Sequence, residues 1–561
     1  MRRFATTATI PLCTASSAEG TTILRRLPIA LLLLTVVLVG NTSAQSWTPV
    51  AAPWLGTNAG PYHALLLTDG TVMVQEGYYC CASTSNWWRL TPDQYGSYIN
   101  GKWSQLASMP IIGGIQYCPA AYASAVLPDG RVIVEGGEYN CEGSNHTTLG
   151  AIFDPTVNPP MGQWTPVSPP ANWLTIGDAP SVVLPEAPYM DFMLGNCCTH
   201  DPTLNDAYLD PVSLTWTSTG LFQYQYNNEH GWELLPPMMD SPAGSVLVVN
   251  GLLPITDGRT SERYLPPPLG FWIPAGSTIV SLWDCDFSQG LGCEIGPAVL
   301  RPDGTVFAEG ASFNTTVPGN TAFYHTSQSD PDYATWTAGP VFPCTGPPSK
   351  PCLSATDAPA SLLPNGNVLV AAGPAEDTPT NFFEFTLAAS YGGGSFVSVP
   401  SPPNAVNDEP YNTQLLLLPT GQVMFTDGST DVEIYTPANQ NYNPAWAPRI
   451  ANVGGQFVRT THTNKWSGRQ FNGMSQATMF GDDSQMATNY PLVRLIYPNP
   501  FGGRDDVDYC RTHDPSSMGV ATGGLLVTVE FDCPGAAQDA AILEIVANGI
   551  PSIPVWVEVI P

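Results

Sequence analysis

The chain is poor in positive charge. Its 561 residues include 18 lysines and arginines against 47 aspartates and glutamates, a net charge of −29. Nucleic acid and anionic membrane surfaces select basic patches, so neither is an expected partner. Sustained 3.6-residue apolar periodicity is missing, which predicts few helices. No Gly-x-Ser-x-Gly elbow and no Cys-x-x-Cys pair occurs, so the α/β-hydrolase nucleophile and the commonest zinc spacing are both lacking. Long apolar runs are also scarce. The one candidate, Leu27–Val39, follows Arg25-Arg26 and precedes the small residues Thr42-Ser43-Ala44. That order reads as a secretory signal peptide over 1–44, too short for a comfortable membrane span. The residues ahead of Arg25 are unusual for a signal and fit a misassigned start. The mature chain is expected to be secreted or extracellular (periplasmic in a bacterium), monomeric and free of membrane.

What is abundant is turn chemistry: 52 glycines and 57 prolines. Seven copies of one pattern run through the chain, clearest at Ala123–Gly137 and Pro297–Gly310. Weaker copies are Ala64–Gly77, Pro180–Gly195, Leu234–Gly251, Ala358–Gly373 and Gln414–Gly428. Each reads as an apolar strand, a two-residue turn such as Asp129-Gly130, and a second apolar strand. The period of about 57 residues slightly exceeds a kelch-type blade. These copies predict a seven-bladed β-propeller over 46–445. Outer strands beginning W-[ST] follow at Trp103, Trp164, Trp216 and Trp336. Trp47 has the same look but precedes the first hairpin, so the N-terminal strand should complete the last blade and remove the ring's open edges. The Pro- and Asn-rich stretch Asn439–Pro448 marks a boundary. Alternating strands in 449–561 then predict an immunoglobulin-like β-sandwich. The fold class is all-β.

Thirteen cysteines are present. Setting aside Cys13 in the leader leaves an even number, suited to an oxidising compartment. Short-loop pairs are Cys285–Cys293 and Cys344–Cys352, and Cys510–Cys533 is the pair available to the C-terminal region. The connectivity of Cys80, Cys81, Cys118, Cys141, Cys197 and Cys198 stays open: the two doublets either form vicinal disulfides or reach Cys118 and Cys141.

In a propeller, residues just before each inner strand meet at one mouth of the axial channel. Taken blade by blade these are Tyr62-His63, Tyr117-Cys118, Asp178, Glu229-His230 with Trp232, Glu294, Asp357 and Glu409 through Asn412. Carboxylates crowded on one mouth repel one another unless a cation, a polyol or water satisfies them. The expected ligand sites are Asp178, Glu229, His230, Trp232, Asp357, Glu409, Tyr411 and Asn412. The expected ligand is an extracellular glycan or small polar molecule, with calcium explaining the carboxylates equally well. Aromatics such as Trp232 and Tyr411 would stack on sugar faces. A protein partner on the blade loops is a further expectation.

Tyr117-Cys118-Pro119, the segment Pro410–Pro419, Arg511-Thr512-His513, Asn548–Ser552 and Phe471–Gln476 with Gly481-Asp482-Asp483 resemble landmarks of the galactose oxidase/glyoxal oxidase family. The resemblance covers nearly the whole mature chain. It implies one copper ion held by two tyrosines and two histidines, with a cysteine joined covalently to one tyrosine as a radical cofactor, acting on alcohols or aldehydes. Cys118 matches the cross-linking cysteine, Tyr411 the axial tyrosine, and His513 the histidine that the C-terminal domain delivers into the channel. His63 is a further candidate metal ligand beside Tyr411 and His513. Two positions depart from the pattern: Asn412 stands where a histidine is expected and Asp178 where the cross-linked tyrosine is expected. An amide is a poor Cu(II) donor, and a carboxylate cannot form the thioether-linked radical. The sequence therefore leans toward a non-oxidase ligand-binding relative, with a copper oxidase as the alternative.

Overall fold

The computed structural model of the protein describes residues 45–561, except 57–58, 78–82, 142, 144–145, 197–204, 222–230, 250–258, 286–292, 347–350, 389–390, 453–455 and 481–485. The expected signal peptide, Glu229, His230, Cys80, Cys81, Cys197 and Cys198 lie outside the described residues.

Seven antiparallel sheets, each with a four-stranded meander, follow one another along the chain. Their inner strands are Pro61–Leu66, Ala123–Val126, Ser181–Val183, Gly231–Leu235, Ala298–Leu300, Pro359–Leu362 and Gln414–Leu417. Each inner strand packs against the next and the seventh against the first, so the ring is closed. Helix is almost absent: among the described residues only Pro410–Asn412 forms one turn of 3-10 helix.

Closure comes from the N-terminus, as the position of Trp47 predicts. Ser46–Pro49 pairs antiparallel with Glu433–Thr436 and supplies the outer strand of blade 7. Outer-strand tryptophans also tie neighbouring blades together. The indole N–H of Trp164 in blade 2 donates to Ala107 O beyond the last strand of blade 1, at 2.9 Å. Trp216 donates in the same way to Ser168 O at 2.7 Å, Trp336 to Ser261 Oγ at 2.8 Å, and Trp47 to Pro400 O at 2.6 Å. Each of these tryptophans therefore contributes both apolar area and one directional bond across its seam. Replacing Trp164 by Phe keeps a buried ring but leaves the Ala107 carbonyl without its donor. A loss of about 1–2 kcal/mol is expected, read from the urea midpoint.

The hairpin turns differ from expectation in one respect. In blades 1, 2, 5, 6 and 7 they are three-residue loops, not two-residue ones, while the hairpins of blades 3 and 4 turn through longer segments after Val183 and Leu235. Leu127 N–H donates to Arg131 O and Gly130 N–H to Leu127 O, so Pro128-Asp129-Gly130 forms the loop. Gly130 alone takes positive φ (81°), the geometry of a type I turn followed by a bulge. Asp129 accepts the Arg131 N–H at 3.0 Å, and Asp69, Asp303 and Asn365 do the same two residues on in their own blades. A carboxylate or carboxamide before glycine thus secures the loop in these four blades, while Thr420 precedes Gly421 in blade 7.

Beyond Pro448 the chain forms a second set of strands from Arg449 to Ile560, largely antiparallel, around its own core of Trp466, Val493, Val529, Phe531, Leu543 and Val557. This unit docks on the face of the ring that carries the hairpin turns. Backbone N–H groups of Val507, Thr512, Asp514 and Met518 donate to carbonyls of Gln94, Thr68, Pro128 and Pro185. The approach is close enough that a Cβ on Gly70 would stand 2.5 Å from the Tyr509 ring. One strand goes further. Thr478–Phe480 enters the ring and pairs antiparallel with the inner strand of blade 6, making that sheet five-stranded.

Three disulfides are described: Cys118–Cys141, Cys344–Cys352 and Cys510–Cys533. Cys344–Cys352 matches a short-loop expectation and Cys510–Cys533 the pair expected in the C-terminal region. The backbones of Cys285 and Cys293 lie opposite each other in a short antiparallel pair. No helix among the described residues is long and apolar enough to cross a membrane.

Candidate functional site at the axial mouth

Because every inner strand runs the same way, its first residues share the face opposite the docked C-terminal unit. Asp178 lies three residues before its inner strand, Asp357 two, and Tyr411-Asn412 sit in the helical turn immediately before Gln414. All four are half-buried. Glu409 organises the last group: its Oε2 accepts the Tyr411 hydroxyl at 3.0 Å and the Asn412 amide at 2.6 Å. Tyr411 is therefore already bound to a carboxylate.

More acids surround Glu409 than the inner-strand reading identifies. Burial, Asp377 and Glu409 together raise the Glu376 carboxyl. Asp408 is buried, and Asn404 Nδ2 bridges its Oδ1 (3.0 Å) to Asp427 Oδ2 (2.9 Å). Burial, and then the neighbouring Asp427, push Asp408 up to about 8. Glu433 is pushed up to about 7 by burial and by Asp427 and Asp431. Glu409 precedes the inner strand of blade 7, Asp427 follows its second strand and Glu433 begins its third. A line of carboxylates thus runs outward from the axis. A sequence signal for it was present. Asp427-Gly428 occupies the repeat position of Glu76-Gly77, Glu135-Gly136 and Glu309-Gly310. Glu76 accepts the Trp88 indole N–H at 2.9 Å. Glu135 and Glu309 are buried with no hydrogen-bond partner among the described residues, and burial holds both well above the usual carboxylate range.

Other expected site residues fall elsewhere. Trp232 lies on the inner strand of blade 4 at 1 % exposure, inside the apolar core. It offers no face for a sugar. His63 is buried against Tyr122 (ring centroids 4.4 Å apart), with Gln414 Nε2 3.2 Å from Nδ1 and Ser124 Oγ 3.4 Å from Nε2. Burial pushes its pKa down to about 3, so it is a neutral wall residue. Tyr122, which sequence reasoning missed, spans the same wall and donates to Gln75 Oε1 at 2.9 Å.

His513 requires a correction. It ends the strand Asp506–His513 on the turn side of the ring, where the next residue, Asp514, bonds to Pro128. The segment that actually enters the channel is the one around Gln476 and Thr478. Gln476 Oε1 accepts Leu234 N–H of blade 4 at 2.7 Å, and Thr478 Oγ1 accepts Leu417 N–H of blade 7 at 3.3 Å. A strand can enter because its free backbone edge is satisfied by blade 6, whereas His513 is already paired to Glu530 across its own sheet.

The residues present do not fit a copper-radical centre. Cys118 is committed to Cys141, Tyr411 to Glu409, and His513 stands outside the channel. Asn412 and Asp178 supply an amide and a carboxylate where imidazole and phenol would be needed. The acidic mouth offers oxygen donors instead, the chemistry of hard cations and of hydroxyl-rich ligands.

No family profile matches the sequence, and neither does any curated protein. Among solved structures, the chain is similar to a fungal alcohol oxidase of the AA5 family in complex with copper. The TM-score is 0.48 at 15% identity, covering 93% of this chain and 100% of that one. It is also similar to the extracellular domain of a hybrid two-component system from B. thetaiotaomicron (TM-score 0.40, 10% identity, 92% of this chain and 59% of that one). A third likeness is to the WD40 β-propeller domain of Doa1 (TM-score 0.32, 9% identity, 71% of this chain and 99% of that one). All three scores lie below 0.5, so these likenesses carry no functional conclusion.

Proposed function

We propose that this chain is a secreted, non-oxidising relative of the galactose oxidase/glyoxal oxidase group that binds a hydroxyl-rich extracellular ligand, a glycan by class, at an acidic mouth charged with Ca²⁺. The observation that carries this reading is the carboxylate line from Glu409 through Asp408 and Asp427 to Glu433. Like charges this close keep protons that they would otherwise release, and a divalent cation relieves the same repulsion. Asp178 and Asp357 at the channel rim add acceptors for hydroxyl groups, and Tyr411 is the half-buried aromatic beside them. The kelch-type repeats, the immunoglobulin-like character of 449–561 and the disulfides belong to the same reading of an extracellular module.

Calorimetric titration of the mature chain with CaCl₂ tests it. Saturable uptake that strengthens as pH rises through the range where Asp408 and Glu433 lose their protons is expected, with Glu409→Gln and Asp427→Asn each weakening it at least tenfold. Glycan-array binding should require Ca²⁺. Absence of both Ca²⁺ uptake and glycan binding would sink the proposal. Hydrogen peroxide produced from alcohols or aldehydes after copper loading would favour an oxidase instead.

A further inference from the structure

A second cluster lies on the opposite side of the ring, away from the mouth. His513 stands between two carboxylates: Nδ1 is 2.7 Å from Asp514 Oδ2, and Nε2 is 3.2 Å from Asp532 Oδ2. A neutral imidazole carries one N–H, so it can satisfy only one of them. In that form the other ring nitrogen points a lone pair at an anion, whereas a doubly protonated ring donates to both. Nε2 is sealed from water and has no aligned hydrogen bond despite that neighbour. A third carboxylate, Glu530, sits directly across the strand pair from His513. Donor atoms of His513, Asp514 and Glu530 all lie within 4.8 Å of one another.

The charge around this imidazole is unbalanced. Against Asp514, Glu530 and Asp532, the nearby cation is Lys465, whose Nζ is 2.9 Å from Glu530 Oε1. Its side chain is 59 % exposed and free to swing away. Arg511, paired in register with Asp532, is turned to the Asp129 carbonyl of blade 2. The frame is stiff, because Cys510–Cys533 cross-links the two strands that carry His513, Glu530 and Asp532. The Asp514 side chain, 61 % exposed, is able to close the last ångström.

We propose that His513, Asp514 and Glu530, with Asp532 beside them, form a binding site for a zinc-class divalent ion at the junction between the C-terminal unit and blade 2. One imidazole nitrogen with two or three carboxylate oxygens is a donor set that suits Zn²⁺ better than Ca²⁺, which prefers oxygen alone. A dipositive ion replaces Lys465 at Glu530 and, taking one ring nitrogen, leaves the other to donate its N–H to the facing carboxylate. Because Asp514 N–H also holds Pro128 O, metal there fastens the C-terminal unit to the ring and stabilises by linkage.

The test is equilibrium dialysis of the full mature chain against ZnCl₂, after chelator treatment, with metal counted by mass spectrometry. One equivalent at micromolar free Zn²⁺ and a saturating rise in Tm are expected. His513→Ala and Glu530→Gln should each weaken uptake at least tenfold, while Lys465→Ala should strengthen it severalfold. Glu409→Gln at the mouth should leave it unchanged, which separates this site from the Ca²⁺ proposal. If the variants do not fold, wild-type protein still answers the question: Zn²⁺ should protect His513 from diethyl pyrocarbonate. No uptake, uptake unaffected by both variants, or His513 modified equally with and without Zn²⁺ would each overturn the proposal.

Discussion

Between about pH 5 and about pH 8 the wild-type chain is expected to lose stability, and Asp408→Asn should remove much of that loss. Asp408 carries a proton up to about 8 and Glu433 up to about 7 in the folded state, where an unfolded chain releases both near the ordinary carboxylate range. The folded state therefore binds more protons than the unfolded state across this window. The contribution of these two groups is greatest below the unfolded carboxylate pKa and declines as pH rises through the folded values. Each group that titrates in this way contributes up to about 1.4 kcal/mol per pH unit. Urea midpoints at several pH values in chelator measure the slope. A slope in Asp408→Asn equal to that of the wild type would place the proton elsewhere. Added Ca²⁺ should flatten the wild-type slope, because the cation relieves the same repulsion.

The largest structural effect is expected from removing the C-terminal unit. A chain ending at Pro448 should fail to form a native ring, giving broad, uncooperative melting and exposed apolar surface. Met486, Tyr490, Leu492, Met518 and Val546 are buried in one continuous core with the first three blades and the seventh. At roughly 1.5–3 kcal/mol per buried large apolar side chain, five such groups approach the whole net stability of a folded protein, roughly 5–15 kcal/mol. The inner edge of blade 6 would also lose Thr478–Phe480, and Leu234 N–H would lose Gln476. A soluble, cooperatively melting ring from the truncated chain would refute this. Gln476→Ala is the milder form of the same test, costing about 1–3 kcal/mol through the unpaired Leu234 N–H.

Much of the ring was legible because its signals are local. A hairpin needs positive φ at one residue, and glycine supplies it at Gly70, Gly130, Gly304, Gly366 and Gly421. Loop length was less legible: Asp-Gly suits both two- and three-residue loops, and only the hydrogen bond from Gly130 to Leu127 distinguishes them. The mouth was half legible. Counting from the turns places Asp178, Asp357 and Glu409 at inner-strand starts, but Asp427 and Glu433 belong to the second and third strands. They join the mouth through the antiparallel return of the chain.

Trp232 and His513 show where counting fails. Both occupy plausible positions in the repeat or motif, yet a side chain's environment depends on what packs over it. Trp232 is buried in an apolar cluster shared by blades 3, 4 and 5, whereas His513 ends a strand whose next residue bonds to the turn of blade 2. By itself the sequence determined the period, the closing N-terminal strand and the acidic balance, since each is written in neighbouring residues or in composition. Only the tertiary structure decided which C-terminal segment fills the channel, which cysteine closes on Cys118, and that one imidazole faces carboxylates on both sides. Those outcomes bring together groups far apart in the chain, and their pairing depends on backbone edges left open by one element and completed by another.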